Sequence, residues 1–352
     1  MTLSRRRRAW IGAAAVLGGT LFAVSVLLPV PFIELAPGPT FNTLGEADGK
    51  PIISIERATT FPTSGHLDLT TVNERGGPGN GLYIGRVIVG WADPRVRVVP
   101  REAFYPDEVS SNDVEAENAQ MFNDSESDSI AAALNYLHKP VLEVVVVSSV
   151  IDGGPSDGKL VPGDQVLAID GVVTKTVQDV GTQMSTVKPG DTVTVRVAHQ
   201  DGGTAAVQVT TGALPKDPAR AYLGITVGTT FRGTFPISVT LGGVGGPSAG
   251  TMLSLGIIDK LTPGELTGGR FIAGTGTITP DGTVGPIGGI AQKMVGARSS
   301  GATLFLAPDS NCADVRVASV PGGLTIARVS TLADAVKAVE DYVAGKPVVG
   351  CG

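Results

Sequence analysis

The run Gly246-Pro247-Ser248-Ala249-Gly250 sets a strand-to-helix corner in this chain. Before it, Ile237 to Leu241 is apolar and β-branched, as in a strand. After it, Ser248 to about Leu261 reads as a helix. A glycine-flanked serine at such a corner resembles the Gly-x-Ser-x-Gly elbow, whose histidine base lies after the serine. His66, His138 and His199 all precede Ser248. Lys293 follows it, in Pro286-Ile287-Gly288-Gly289-Ile290-Ala291-Gln292-Lys293. A serine activated by a desolvated lysine requires no histidine. The residues therefore imply a Ser-Lys hydrolytic pair, with Met294, Val295 and Ile290 available to desolvate the amine.

With 352 residues the chain is long enough for about two domains. Its net charge of −6 gives no broad basic surface for nucleic acid. Glycine (48) and proline (24) are abundant and aromatics are few, which favours a turn-rich, β-containing protein over a helical bundle. Arg5 to Arg8 precede an uncharged run from Ala9 to about Val30. A run of ~20 residues is long enough to cross a membrane as a helix. The arginines before it predict a cytoplasmic N-terminus, an extracytoplasmic remainder and contact with membrane lipid. A cleaved signal peptide fits less well, because its apolar region is shorter and ends in a small-residue site. Cys312 and Cys351 are the two cysteines. Outside a membrane two thiols can oxidise, and a penultimate cysteine is rarely buried unless tied down, so a disulfide is expected. No His/Cys/Asp/Glu spacing suggests a metal, and no cofactor is expected.

Gly65 to Val72 alternates like a strand, and Leu82 to Val89 and Val96 to Val99 also read as strand material. An apolar stripe through Met121, Ile130, Ala133, Leu134 and Leu137 predicts a helix that ends near Pro140. Ile290 to about Ser299 and Thr331 to about Ala344 are further helices, and Leu304 to Ala307 is a strand.

Between them lies a self-contained unit. It has the strand Leu142 to Val150, a turn at Gly153-Gly154-Pro155-Ser156, and then Leu160-Val161-Pro162-Gly163-Asp164-Gln165-Val166-Leu167-Ala168-Ile169-Asp170-Gly171. A short helix near Val177 to Thr186, the strand Thr192 to Ala198 and a hairpin at Asp201-Gly202-Gly203 complete it. This unit resembles a PDZ domain, and such domains take a peptide C-terminus as an added strand. Gly153 to Lys159 also matches the start of a phosphate-binding loop. The next residue is Leu160 rather than Ser or Thr, and Pro162-Gly163 blocks the helix that would hold phosphate.

Gly246-Pro247-Ser248-Ala249-Gly250, then Thr275-Gly276, then Pro286 to Gly289 with Lys293 resemble the proteolytic domain of Lon proteases. With the N-terminal run and the PDZ-like unit, the chain looks like the membrane-anchored, PDZ-containing Lon-type peptidases of Gram-positive bacteria. The resemblance implies Ser248 as nucleophile, Lys293 as base and Thr275 as a hydrogen-bonding aid to the amine. Gly245, Gly246 and Pro247 are expected to support the loop and the oxyanion pocket. Two departures from the family stand out: Val244-Gly245 replaces a Lys-Asp pair before Gly-Pro-Ser, and Thr277 replaces Glu after Thr-Gly.

The expected architecture is α+β. It has a basic tail (1–8), a transmembrane helix (9–30), an N-terminal peptidase part (31–137), an inserted PDZ domain (138–214) and the catalytic part (215–352). The expected activity is ATP-independent hydrolysis of extracytoplasmic protein substrates, with C-terminal segments held by the PDZ domain and the oligomeric state left open. The competing class is a non-catalytic envelope scaffold on a degenerate peptidase fold.

Overall fold

The structure is a computed structural model that describes residues 5–105, 109–199 and 203–352. Asp107 and the Asp201-Gly202 turn lie outside the described residues. The chain separates into two units. The first comprises residues 1–54, 59–129 and 238–352, and the second comprises 55–58 and 130–237.

The first unit is built on a six-stranded sheet. Its order is Thr325–Val329, Leu304–Pro308, Phe271–Gly274, His66–Arg75, Phe32–Asn42 and Arg97–Pro100. The first four strands run parallel, and the last two join antiparallel. Every residue of Leu304–Pro308 is buried, as expected of a parallel strand covered on both faces. Ala273, Phe305 and Ala307 pack against Ile290 and Met294 of the helix Ile290–Ser300. On the opposite face, Gly274 lies against Met252 of the helix Gly250–Leu261. Helices between parallel strands make this a mixed α/β fold, which corrects the α+β expectation. The short apolar runs at 271–274 and 304–308 are instead β-α-β strands.

The second unit has its own sheet. Its order is Thr204–Thr210, Thr192–Ala198, Gln165–Ile169, Val141–Val150 and Ile225–Gly233. Val145, Val147, Val166, Ile169, Val193, Val195 and Val197 form its core. The helix Val177–Met184 begins at a capping box in which Thr176 and Asp179 satisfy each other's backbone N–H groups. Val141 pairs with Gly233, so the chain enters and leaves this sheet at adjacent positions. The sheet therefore runs past Leu214, the expected end of the inserted domain.

Two further expectations are corrected. Leu82 to Val89 is a two-residue strand, Leu82–Tyr83, followed by the helix Ile84–Ala92, which buries Val87 and Gly90 three residues apart. The N-terminal helix spans Arg5–Leu27. Among the described residues, no helix is long and apolar enough to cross a membrane. The transmembrane helix, the single-pass topology and the extracytoplasmic placement inferred from it are therefore not supported.

Candidate active site

The strand His66–Arg75, the corner before Gly250–Leu261 and the helix Ile290–Ser300 converge at one point. Ser248 lies two residues before Gly250, with Ala249 capping the helix. Gly246 adopts φ 81°, a left-handed conformation that favours glycine. Its N–H donates to the Asn118 carbonyl at 2.9 Å. A Cβ on Gly245 would sit 2.9 Å from the Asn118 Cβ. The Ser125 hydroxyl donates to the Pro247 carbonyl at 3.0 Å. The loop Gly245-Gly246-Pro247 is thus held by helix Ser111–Tyr136.

Lys293 is buried, with 3% of its surface exposed. Its Nζ lies 2.8 Å from Ser248 Oγ, 3.2 Å from Thr275 Oγ1 and 2.7 Å from the Thr70 carbonyl oxygen. The Thr275 hydroxyl, itself buried, donates to the Ser248 carbonyl at 3.0 Å. Its proton is thereby committed, so toward the amine it acts as an acceptor. The Thr70 carbonyl is an acceptor by nature. A neutral amine has two hydrogens and one lone pair. With both hydrogens taken by Thr70 and Thr275, the lone pair is left for the Ser248 hydroxyl. That is the orientation a general base requires.

Burial also sets the charge. Desolvation lowers the Lys293 pKa from 10.5 to about 8, close to the range a base needs near neutral pH. The same shift costs stability, because the unfolded state keeps the higher pKa. The cost is full below pH 8, where the lysine is protonated in both states, and it fades as pH rises through 10.5. Lys293→Met keeps the aliphatic stem without the charge. It should raise the unfolding free energy by about 3 kcal/mol at pH 6, and by little above pH 10.5. Urea melts at the two pH values check this, and an equal effect at both would contradict it.

A cleft of about 800 Å³ opens beside the pair and is lined by Ser248, Lys293, Thr70 to Glu74 and Pro286 to Gly289. Gly289 opens the lysine helix in the left-handed region at φ 69°. A Cβ there would meet the Val72 side chain at 2.7 Å, so glycine lets this helix start close to the strand. The structure brings Ser248, Thr275, Lys293 and the Gly245–Pro247 loop together. Cys312 and Cys351 are bonded to each other elsewhere in the same unit. The Thr70 carbonyl had no sequence signal, being a backbone atom 223 residues from the lysine. Among the described residues no cluster of His, Cys, Asp and Glu could hold a metal.

Comparison with known proteins divides the chain in a similar way. Residues 109–211 match the PDZ domain family, and residues 236–340 match the Lon protease (S16) C-terminal proteolytic domain. The chain carries a PDZ domain and a Lon-type serine peptidase domain. Lon protease 2 of Herpetosiphon aurantiacus is 35% identical over 139 residues, covering 36% of this chain and 17% of that protein. Lon protease 1 of Bacillus subtilis is 38% identical over 89 residues, covering 25% and 11%. The chain thus spans under a fifth of the length of these relatives. The PDZ domain of an SdrC-like protein from Listeria monocytogenes is 30% identical with a TM-score of 0.23, covering 24% of this chain and 86% of that one.

Proposed function

We propose that the chain hydrolyses peptide bonds of protein substrates through a Ser248–Lys293 dyad, without ATP. The supporting observation is the 2.8 Å contact from Lys293 Nζ to Ser248 Oγ, with the two other acceptors around the amine already assigned. Lys293 takes the Ser248 proton as Oγ attacks the carbonyl carbon. It then returns that proton to the leaving amine, and an acyl-enzyme remains. Water, deprotonated by the same lysine, attacks the ester carbonyl, and the lysine passes that proton to Ser248 Oγ as the acid product leaves. Gly245, Gly246 and Pro247 shape the backbone around the reacting carbonyl, and the start of helix Gly250–Leu261 turns its positive end toward the developing oxyanion. No step draws energy from a nucleotide.

The test pairs covalent labelling with a rate profile. A serine-reactive probe should mark Ser248, and kcat/KM for a peptide should rise with pH through about 8 as Lys293 loses its proton. An unlabelled Ser248 in folded protein would favour the scaffold reading.

The second unit is proposed as an inserted PDZ domain that selects substrate segments. Ile225–Gly233 is an end strand of its sheet, and the helix Val177–Met184 packs against it, which suits strand addition by a peptide. Replacing Val141 to Gly233 by a short Gly/Ser linker should leave a soluble core that still takes the probe but processes PDZ-docked proteins poorly. Loss of probe labelling in a folded core would refute the insertion.

A further inference from the structure

Asn311 ends the turn Asp309–Asn311, between the strand Leu304–Pro308 and the helix Cys312–Val317. Its side chain is 4% exposed. The amide faces Ile287 as a neighbouring strand would. Its Oδ1 accepts from the Ile287 N–H at 2.9 Å, and its Nδ2 donates to the Ile287 carbonyl at 2.9 Å. A longer contact, 3.4 Å, joins Nδ2 to Asp314 Oδ2.

Ile287 matters because of where it stands. It lines the cleft, and it packs against the core that contains Met294 and Ile290 of the lysine helix. Residues 286–289 form no helix or strand, so no backbone ladder holds them. Two residues after Ile287, the Gly289 carbonyl accepts the N–H of Lys293. One short path therefore runs from the Asn311 amide through Ile287 and Gly289 to the base.

We propose that Asn311 is a positioning residue, whose side-chain amide fixes the Pro286–Gly289 loop and thereby the place of the Lys293 amine beside Ser248. The inference rests on the peptidase reading above. Removing the amide strips two partners from a partly buried peptide group, which then seeks water. Water entering beside Lys293 weakens the desolvation that keeps the amine neutral. The elements packed on the lysine helix carry Glu34, His66, Asp68, Glu74, Arg75, Asp314 and Arg316. Burial alone accounts for the lysine's shift, so water access is the route by which Asn311 reaches it.

The experiment titrates Lys293 in the full chain by NMR of 13C-labelled lysine, assigned with Lys293→Met, alongside kcat/KM against pH. Asn311→Ala should move the lysine midpoint from about 8 toward 10.5 by a unit or more. At pH 7 it should cut kcat/KM at least tenfold, with partial recovery near pH 10. Val315→Ala, a core truncation in the adjoining helix, should lower stability without moving the midpoint. If Asn311→Ala does not fold, Asn311→Leu gives the same comparison, since it fills a similar volume without charge and removes both partners of the Ile287 peptide group. An unmoved midpoint in the Asn311 variants, or an equal movement in Val315→Ala, overturns the proposal. A moved midpoint in a chain that hydrolyses nothing upholds the positioning role and refutes the peptidase reading instead.

Discussion

Ser248→Ala and Lys293→Ala should each lower kcat/KM for a peptide substrate by a factor on the order of 10⁴ or more, with the fold intact. The two residues share one proton along a 2.8 Å contact, so neither has a function in the reaction without the other. The double variant should therefore be no worse than either single one. Lys293→Arg should be as inactive as alanine, because a guanidinium does not give up its proton near neutral pH. Thr275→Val should fall between. It removes one acceptor of the amine and the donor to the Ser248 carbonyl, but it leaves the Thr70 carbonyl and the dyad contact in place. A loss of roughly 10- to 100-fold is expected. Turnover by purified Lys293→Ala near the parent rate would end the dyad mechanism, and an unchanged rate in Thr275→Val would remove that residue from it.

Breaking the Cys312–Cys351 bond should cost about 4 kcal/mol of unfolding free energy in the chain-entropy account. The bridge closes a loop with a sequence separation of 39. That loop contains the strand Thr325–Val329 and the helix Leu332–Val343. Cys312 is buried, and the Cys351 carbonyl accepts a hydrogen bond from Arg316 at 2.8 Å. Comparing denaturant midpoints of parent and Cys312→Ser/Cys351→Ser protein, with and without reductant, measures the effect. The parent should fall to the level of the variant on reduction, and the variant should ignore the reductant. Mass spectrometry of the unreduced protein should find the two peptides linked.

Ser248, Thr275 and Lys293, which the structure brings together, were legible because each lies beside local signals of its own. Gly246 and Gly250 bracket the serine, Thr275-Gly276 follows a strand, and Gly288-Gly289 opens the lysine helix. Their partners were not legible. The Thr70 carbonyl, the Asn118 carbonyl and the Ser125 hydroxyl come from distant segments, and backbone atoms carry no residue code. The helix Leu332–Val343 was readable from its apolar spacing, and the Thr331–Asp334 capping box at its start is a structural finding. The helix Ile84–Ala92 was not, since a nearly continuous apolar run fits both periods until a sheet decides. The parallel core was misjudged for a related reason. Strands as short as Phe271–Gly274 do not reveal their direction, which the intervening helix sets. At the N-terminus, the absence of charge suggested a span, whereas among the described residues no helix is long and apolar enough to cross a membrane.

The strand His66–Arg75 gives this fold a timetable. Its parallel neighbour, Phe271–Gly274, is encoded some two hundred residues later, and Thr70 is 223 residues from the lysine it orients. At a synthesis rate of roughly 5–20 residues per second, that separation is about 11–45 s. Throughout that interval the growing chain carries one side of its main sheet without its mate, a state prone to mispairing and slow to resolve. It also carries Ser248 before Lys293, so the nucleophile exists for a time without a base. On the growing chain the contact between Ser248 and Lys293 cannot form until residue 293 has been made.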